Sequence, residues 1–164
     1  VYVKKLDQVR CRLVAQEVAG SEKREDIYAG SPPMAATRYL LSDTVTRGRG
    51  TIGRRRKLMV RDVKRAFLHG IATRTLYIEL PVEESENENY VGRLNKTLYG
   101  TRDAPVAWLR AVKADMEALG FLECKVTTGV YVHPTRDIRV VTHVDDFLVA
   151  GELADLEWLR DEML

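Results

Sequence analysis

Residues 140–151 constrain this chain more than any other stretch: Val140-Val141-Thr142-His143-Val144-Asp145-Asp146-Phe147-Leu148-Val149-Ala150-Gly151. An apolar run reaches two adjacent carboxylates, and a second apolar run leads away to Gly151. Both runs are rich in Val and Leu and read as buried strands, with the acidic pair at the tight hairpin between them. Like charges this close repel, and burial makes the repulsion worse. A divalent cation held by carboxylate oxygens would neutralise them. The bland alternative is a plain turn, since Asp suits turns by bonding its own backbone. Chemistry needs a third carboxylate, and Asp62 supplies it at the end of Lys57-Leu58-Met59-Val60-Arg61-Asp62-Val63. Leu58, Val60 and Asp62 share one face of that strand, so a carboxylate is expected to end an otherwise apolar, buried face.

The 164 residues suffice for one domain or a large piece of one, and the chain begins at Val1, as a piece of something longer would. No apolar run is long enough to span a membrane, and the first residues lack a signal peptide's apolar core. Cys11 and Cys124 lie far apart without metal-ligand spacing, which suits a reduced, intracellular protein. The net charge of +2 hides an asymmetry: residues 1–74 carry 17 Lys and Arg against 7 Asp and Glu, and residues 75–164 carry 9 against 17. A basic half suits a polyanion and an acidic half suits metal ions, unless the two surfaces merely neutralise each other.

Val9-Arg10-Cys11-Arg12-Leu13-Val14-Ala15-Gln16 reads as a strand with Arg10 and Arg12 on one side, an arrangement suited to phosphate oxygens or to an exposed strand face. Residues 19–31 read as a loop. Pro32-Pro33 opens a helix over about 33–46. Residues 47–57 are Gly-rich and basic, either a grip on nucleic-acid backbone or a solvated loop. A strand at 75–80 stops at Pro81, and residues 82–89 form an acidic loop. Asp103 and Pro105 start a helix that runs to Leu119, with Trp108, Val112, Met116 and Leu119 as its core stripe and Gly120 as its stop. Residues 152–164 form an amphipathic helix.

Several of these stretches, in order, resemble the copia-type LTR-retrotransposon reverse transcriptases. The resemblance rests on Arg61-Asp62-Val63-Lys64-Arg65-Ala66-Phe67-Leu68-His69-Gly70, then Leu98-Tyr99-Gly100 with Ala104-Pro105 and Trp108, then Val144-Asp145-Asp146 with Leu148 and Gly151. Arg12-Leu13-Val14-Ala15 and Ser31-Pro32-Pro33 with Arg38 resemble the segments early in the fingers. The resemblance implies an α+β fold: a polymerase palm with an antiparallel sheet backed by helices, plus partial fingers, and with no thumb in this sequence. Residues 1–56 would be fingers-like and 57–164 palm, with some fingers elements interleaved.

The function implied is RNA-directed DNA polymerisation, by attack of a primer 3′-hydroxyl on the α-phosphate of a dNTP. Asp62, Asp145 and Asp146 would hold two Mg²⁺ or Mn²⁺ ions about 3.5–4 Å apart, with the carbonyl of Val63 as a further ligand. Phe67 would be the steric gate against a 2′-hydroxyl, with Ala66 beside it. Arg10 or Arg12 would hold the triphosphate, and Gly100 would admit the nucleotide and template. His143, Tyr99 and Pro105 would touch primer or template. The implied partners are an RNA or DNA template, a DNA or tRNA primer and dNTP, with no membrane, in a cytoplasmic particle or the nucleus. Two departures stand out. His143 replaces the family's usual Tyr, and Gly100-Thr101-Arg102-Asp103-Ala104-Pro105 replaces Gly-Leu-Lys-Gln-Ala-Pro. Asp103 thereby puts a negative charge near a polyanion path unless it caps the helix. The alternative function is a decayed element that folds and binds nucleic acid without polymerising. A third reading, an unrelated α/β domain with an acidic turn, has no reason to bring Asp62 beside Asp145 and Asp146.

Overall fold

The structure, a computed structural model, describes residues 2–5, 8–17, 27–47, 55–80 and 90–163. Most of the basic 47–57 stretch, the acidic 82–89 loop and most of the 19–31 loop lie outside the described residues, as do the side chains of Arg10 and Cys11. The fold is α+β. The chain gathers into two compact units, each built from two stretches: residues 1–29 with 66–111, and residues 30–65 with 112–164.

The first unit opens with an antiparallel pair, β1 (Tyr2–Lys5) and β2 (Gln8–Cys11). The strand expected to reach Gln16 stops at Cys11, and residues 12–17 run on without a ladder partner. Then come a 3₁₀ helix at Ala66–His69, a second antiparallel pair of β4 (Tyr77–Glu79) and β5 (Val91–Arg93), and the first part of α2 (Ala104–Ala118). Thr97 holds the 3₁₀ turn in place. Its N–H donates to the carbonyl of Gly70 at 2.9 Å and its hydroxyl to that of Phe67 at 2.5 Å.

The second unit contains α1 (Met34–Arg47), β3 (Arg56–Asp62), the rest of α2, then β6 (Leu122–Glu123), β7 (Val130–His133), β8 (Ile138–His143), β9 (Asp146–Glu152) and α3 (Leu153–Glu162). Its five strands form one antiparallel sheet in the order β3-β9-β8-β7-β6. The Val-rich runs become its centre because alternate residues bury on opposite faces. On one face Ile138, Val140 and Val149 are fully buried, and Leu156 of α3 lies over Gly151. On the other, Leu40 of α1 packs with Val141 and Ala150, flanked by Ala36, Val130 and Leu148. Burying a Leu this fully contributes about 2 kcal/mol. Trp108, Val112 and Met116 are buried, as the stripe along α2 predicts, while Leu119 is half-buried just past the helix end.

One expectation is reversed. Leu58, Val60 and Asp62 do share a face of β3, but that face is exposed, with Leu58 at 42% and Val60 at 69%. Among the described residues β3 is an outer strand with β9 as its one neighbour, and α1 buries Ala150 of β9 far more fully than it buries β3. The pattern of alternation is a property of the strand. Which face is covered depends on the elements packed against the strand, not on the strand's own residues. Among the described residues, no helix is long and apolar enough to cross a membrane.

Candidate active site

In the second unit, β8 and β9 form a hairpin with His143 opposite Asp146 and with Val144 and Asp145 as its two loop residues. The acidic pair therefore straddles the end of the turn: Asp145 is in it and Asp146 opens the next strand. Val144 takes a positive φ of 56°. β3 runs antiparallel along β9, and its register sets Asp62 opposite Asp146. Just beyond this pair, the N–H of Val63 donates to the carbonyl of Asp145 at 2.9 Å. The three carboxylates, 62 against 145 and 146, thus come to one end of one sheet.

Residues directly opposite in an antiparallel pair project from the same face. Asp62, Asp146 and His143 therefore form a row across three strands. Asp62 and Asp146 are exposed and Asp145 is half-buried, in front of buried Thr142 and Phe147. Opposed like charges destabilise a ladder, so this pairing is held by its apolar surroundings and by the backbone bonds of β3 and β9. Carboxylate oxygens are the donor set that hard divalent cations take. The fit is partial. Asp62 and Asp146 are paired, but among the described residues no three or more His, Cys, Asp or Glu side chains are gathered closely enough to hold an ion.

The first unit brings together a different set. The rings of Phe67 and Tyr99 lie 5.0 Å apart, and the guanidinium of Arg12 stands 5.7 Å over the Tyr99 ring. Arg12 itself is exposed. The N–H of Ala15 donates to the carbonyl of Tyr99 at 2.7 Å. At Gly100 φ is +89°, and an added Cβ would stand 1.9 Å from the carbonyl oxygen of Ala15. Only glycine lets these two backbones approach so closely. Ala66 is buried, and Pro105 is half-buried in the first turn of α2. Trp108 is core, with the His69 ring 5.9 Å away.

Asp103 does not present its charge to solvent. It is 5% exposed, its carbonyl accepts the N–H of Ala107 at the start of α2, and its carboxylate is taken by Arg74. Arg74 and its other partner Glu17 were not singled out by sequence. Neither sits in a motif, and an Arg in a polar stretch carries no signal of a buried partner.

A family profile described as "Reverse transcriptase (RNA-dependent DNA polymerase)" matches residues 3–163. The chain is 32% identical over 94 residues to the retrovirus-related Pol polyprotein from transposon RE1 of Arabidopsis thaliana, covering 55% of this chain and 6% of that one. The corresponding polyprotein of transposon RE2 from the same plant is 32% identical over 94 residues, with the same coverage. That of transposon TNT 1-94 of Nicotiana tabacum is 33% identical over 96 residues, covering 56% of this chain and 7% of the relative. The chain thus spans a small fraction of the length of these polyproteins. No solved structure matches it significantly.

Proposed function

The chain belongs to the reverse transcriptase (RNA-dependent DNA polymerase) family, of the kind carried by copia-type retrotransposons, and from that premise we propose that it contributes the catalytic core of template-directed DNA synthesis. The observation that carries the reading is the register that sets Asp62 opposite Asp146, with Val63 bonded to Asp145. In this reading residues 57–164 supply the palm, with fingers elements interleaved, and residues 1–56 are fingers-like.

The reaction joins a primer 3′-oxygen to the α-phosphorus of a dNTP and releases pyrophosphate. Asp62, Asp145 and Asp146, with the carbonyl of Val63, would hold Mg²⁺ or Mn²⁺. Bound there, the ions supply charge neutralisation at the attacking and leaving oxygens. The protein's share is positioning. Arg10 or Arg12 holds the triphosphate by charge-assisted hydrogen bonds. Phe67 lies under the sugar and leaves no room for a 2′-hydroxyl, with Ala66 beside it. Gly100 lets the main chain approach base and template. His143, Tyr99 and Pro105 line the path of primer or template. The partners are an RNA or DNA template, a DNA or tRNA primer and dNTP.

A second reading, a remnant that binds nucleic acid without polymerising, draws on His143, which stands opposite Asp146 where the family usually has Tyr. Primer extension on an RNA template with Mg²⁺ or Mn²⁺, using a longer chain of the same element, separates the two. Extension that disappears in Asp145→Asn supports the polymerase. Nucleic-acid and Mn²⁺ binding without extension supports the remnant. Asp62→Asn and Asp145→Asn should each weaken Mn²⁺ binding at least about tenfold and leave the fold intact. Unchanged Mn²⁺ affinity in both would reject the site.

A further inference from the structure

Three segments of the first unit carry residues assigned above to the nucleotide: 12–17 with Arg12, the 3₁₀ turn with Phe67, and the 98–103 turn with Gly100, beside which stands Tyr99 of the primer or template path. No sheet joins segment 12–17 to the 98–103 turn. One backbone bond does, from Ala15 to Tyr99. A second tie is therefore expected to keep the Gly100 backbone so close to the Ala15 carbonyl.

Arg74 does this from the side. Its Nη2 donates to Glu17 Oε2 at 2.5 Å. Its Nε and Nη2 donate to the two oxygens of Asp103 at 3.2 and 3.3 Å, a bidentate grip. Glu17 Oε2 also accepts the N–H of Arg102 at 2.8 Å. One guanidinium therefore ties the end of segment 12–17 to the residue that starts α2, and Glu17 ties that segment again to the turn. The side chains are 24%, 22% and 7% exposed for Arg74, Glu17 and Asp103, so water screens this cluster far less than a surface pair. Burial opposes the charge on Asp103 and on Glu17. The Arg74 hydrogen bonds and charge overcome it and hold both carboxyls below their ordinary values. The hydrogen bond to Glu17 leads in raising Arg74.

The geometry points to Arg74 as a positioning residue of the nucleotide site. By clamping Glu17 and Asp103 it holds the Tyr99–Arg102 turn against segment 12–17, so that Arg12, Phe67 and Tyr99 keep one arrangement. This rests on the nucleotide-binding reading given above. It also explains Asp103, whose charge is spent inside the unit and does not face a polyanion.

The test measures the affinity of the whole 164-residue chain for a fluorescent dNTP and the matching rNTP in the presence of Mn²⁺, with thermal midpoints and Mn²⁺ affinity alongside. Arg74→Ala should weaken dNTP binding about tenfold and shrink the dNTP-over-rNTP preference, because misplacement of a gate costs selectivity as well as affinity. Mn²⁺ affinity should not change. Arg74→Lys should recover the affinity only in part, since an ammonium lacks the fork. Asp103→Asn, nearly isosteric, carries the test should Arg74→Ala fail to fold, and should lose the same preference. Native dNTP affinity and native selectivity in Arg74→Ala or Asp103→Asn would overturn the positioning role alone. No dNTP binding by the native chain would overturn the nucleotide reading itself, and the inference with it.

Discussion

Val144 carries a β-branched side chain at a φ of 56°, a region that costs most residues about 1 kcal/mol or more. It sits beside Asp145, where the chain must turn in two residues and still deliver Asp146 opposite both His143 and Asp62. Val144→Asn should therefore raise stability by about 1 kcal/mol in urea unfolding, since Asn tolerates this conformation. An unchanged or lowered midpoint would show that the Val side chain earns its place by packing. Gly100 is the opposite case. Gly100→Ala should cost at least about 2 kcal/mol, from the backbone conformation and the clash with the Ala15 carbonyl together. At this scale the place of the acidic pair at the turn was readable from the apolar runs on either side of it, whereas the close approach of Gly100 to the Ala15 carbonyl was not, since nothing in the sequence sets those two residues together. Arg74 and Glu17 were unreadable because a salt bridge needs two residues to meet, and nothing in Thr73-Arg74-Thr75 says what lies across from it.

The elements show how a strand is held as well as where it runs. Arg56 opens β3 with its guanidinium almost fully buried. It donates to the carboxylate and the carbonyl of Asp137, and to the carbonyl of Ala150 at 3.3 Å. Arg139 of β8 joins Asp137 at 3.2 Å and Asp43 of α1. The 134–137 turn, β3, β8 and α1 are thus fastened at the end of the sheet away from the carboxylate row. Asp137→Ala should destabilise by about 2 kcal/mol, because it leaves a buried guanidinium with carbonyl partners alone. Asp137→Gly should cost less, since Asp137 has a φ of 50° and glycine relieves that strain. Chemical denaturation of the two variants checks the order. Helix positions and the Val-rich strands were legible from periodicity within about one or two residues. The covered face of β3 was not, because it depends on how α1 and β9 sit against the strand, and β9 lies far along the chain from it.

For the molecule as a whole, charge organises stability against pH. Glu17 and Asp103 titrate below their ordinary values in the folded chain, burial being outweighed by Arg74. A depressed carboxyl stabilises above its unfolded value, near 4, and that contribution disappears as pH falls through the folded value. The stability gap between the native chain and Arg74→Ala should be full at pH 7, shrink below about pH 4 and close under stronger acid. A gap that stays constant down to pH 2 would mean the Arg74 cluster is not what titrates. The basic first half and acidic second half were visible from composition, but the partition into compact units was not. Residues 30–65 pack with 112–164, and residues 1–29 with 66–111.

That interleaving fixes an order of events during synthesis. Among the described residues β3 has one ladder neighbour, β9, and all of the chain between them must be made first. While the ribosome is still short of residue 146, Asp62 waits on a strand with no partner, and the β4–β5 and α2 segments have already emerged. The carboxylate row thus cannot assemble until every residue of the first unit has been made. A message broken anywhere before that hairpin yields no half-formed carboxylate row.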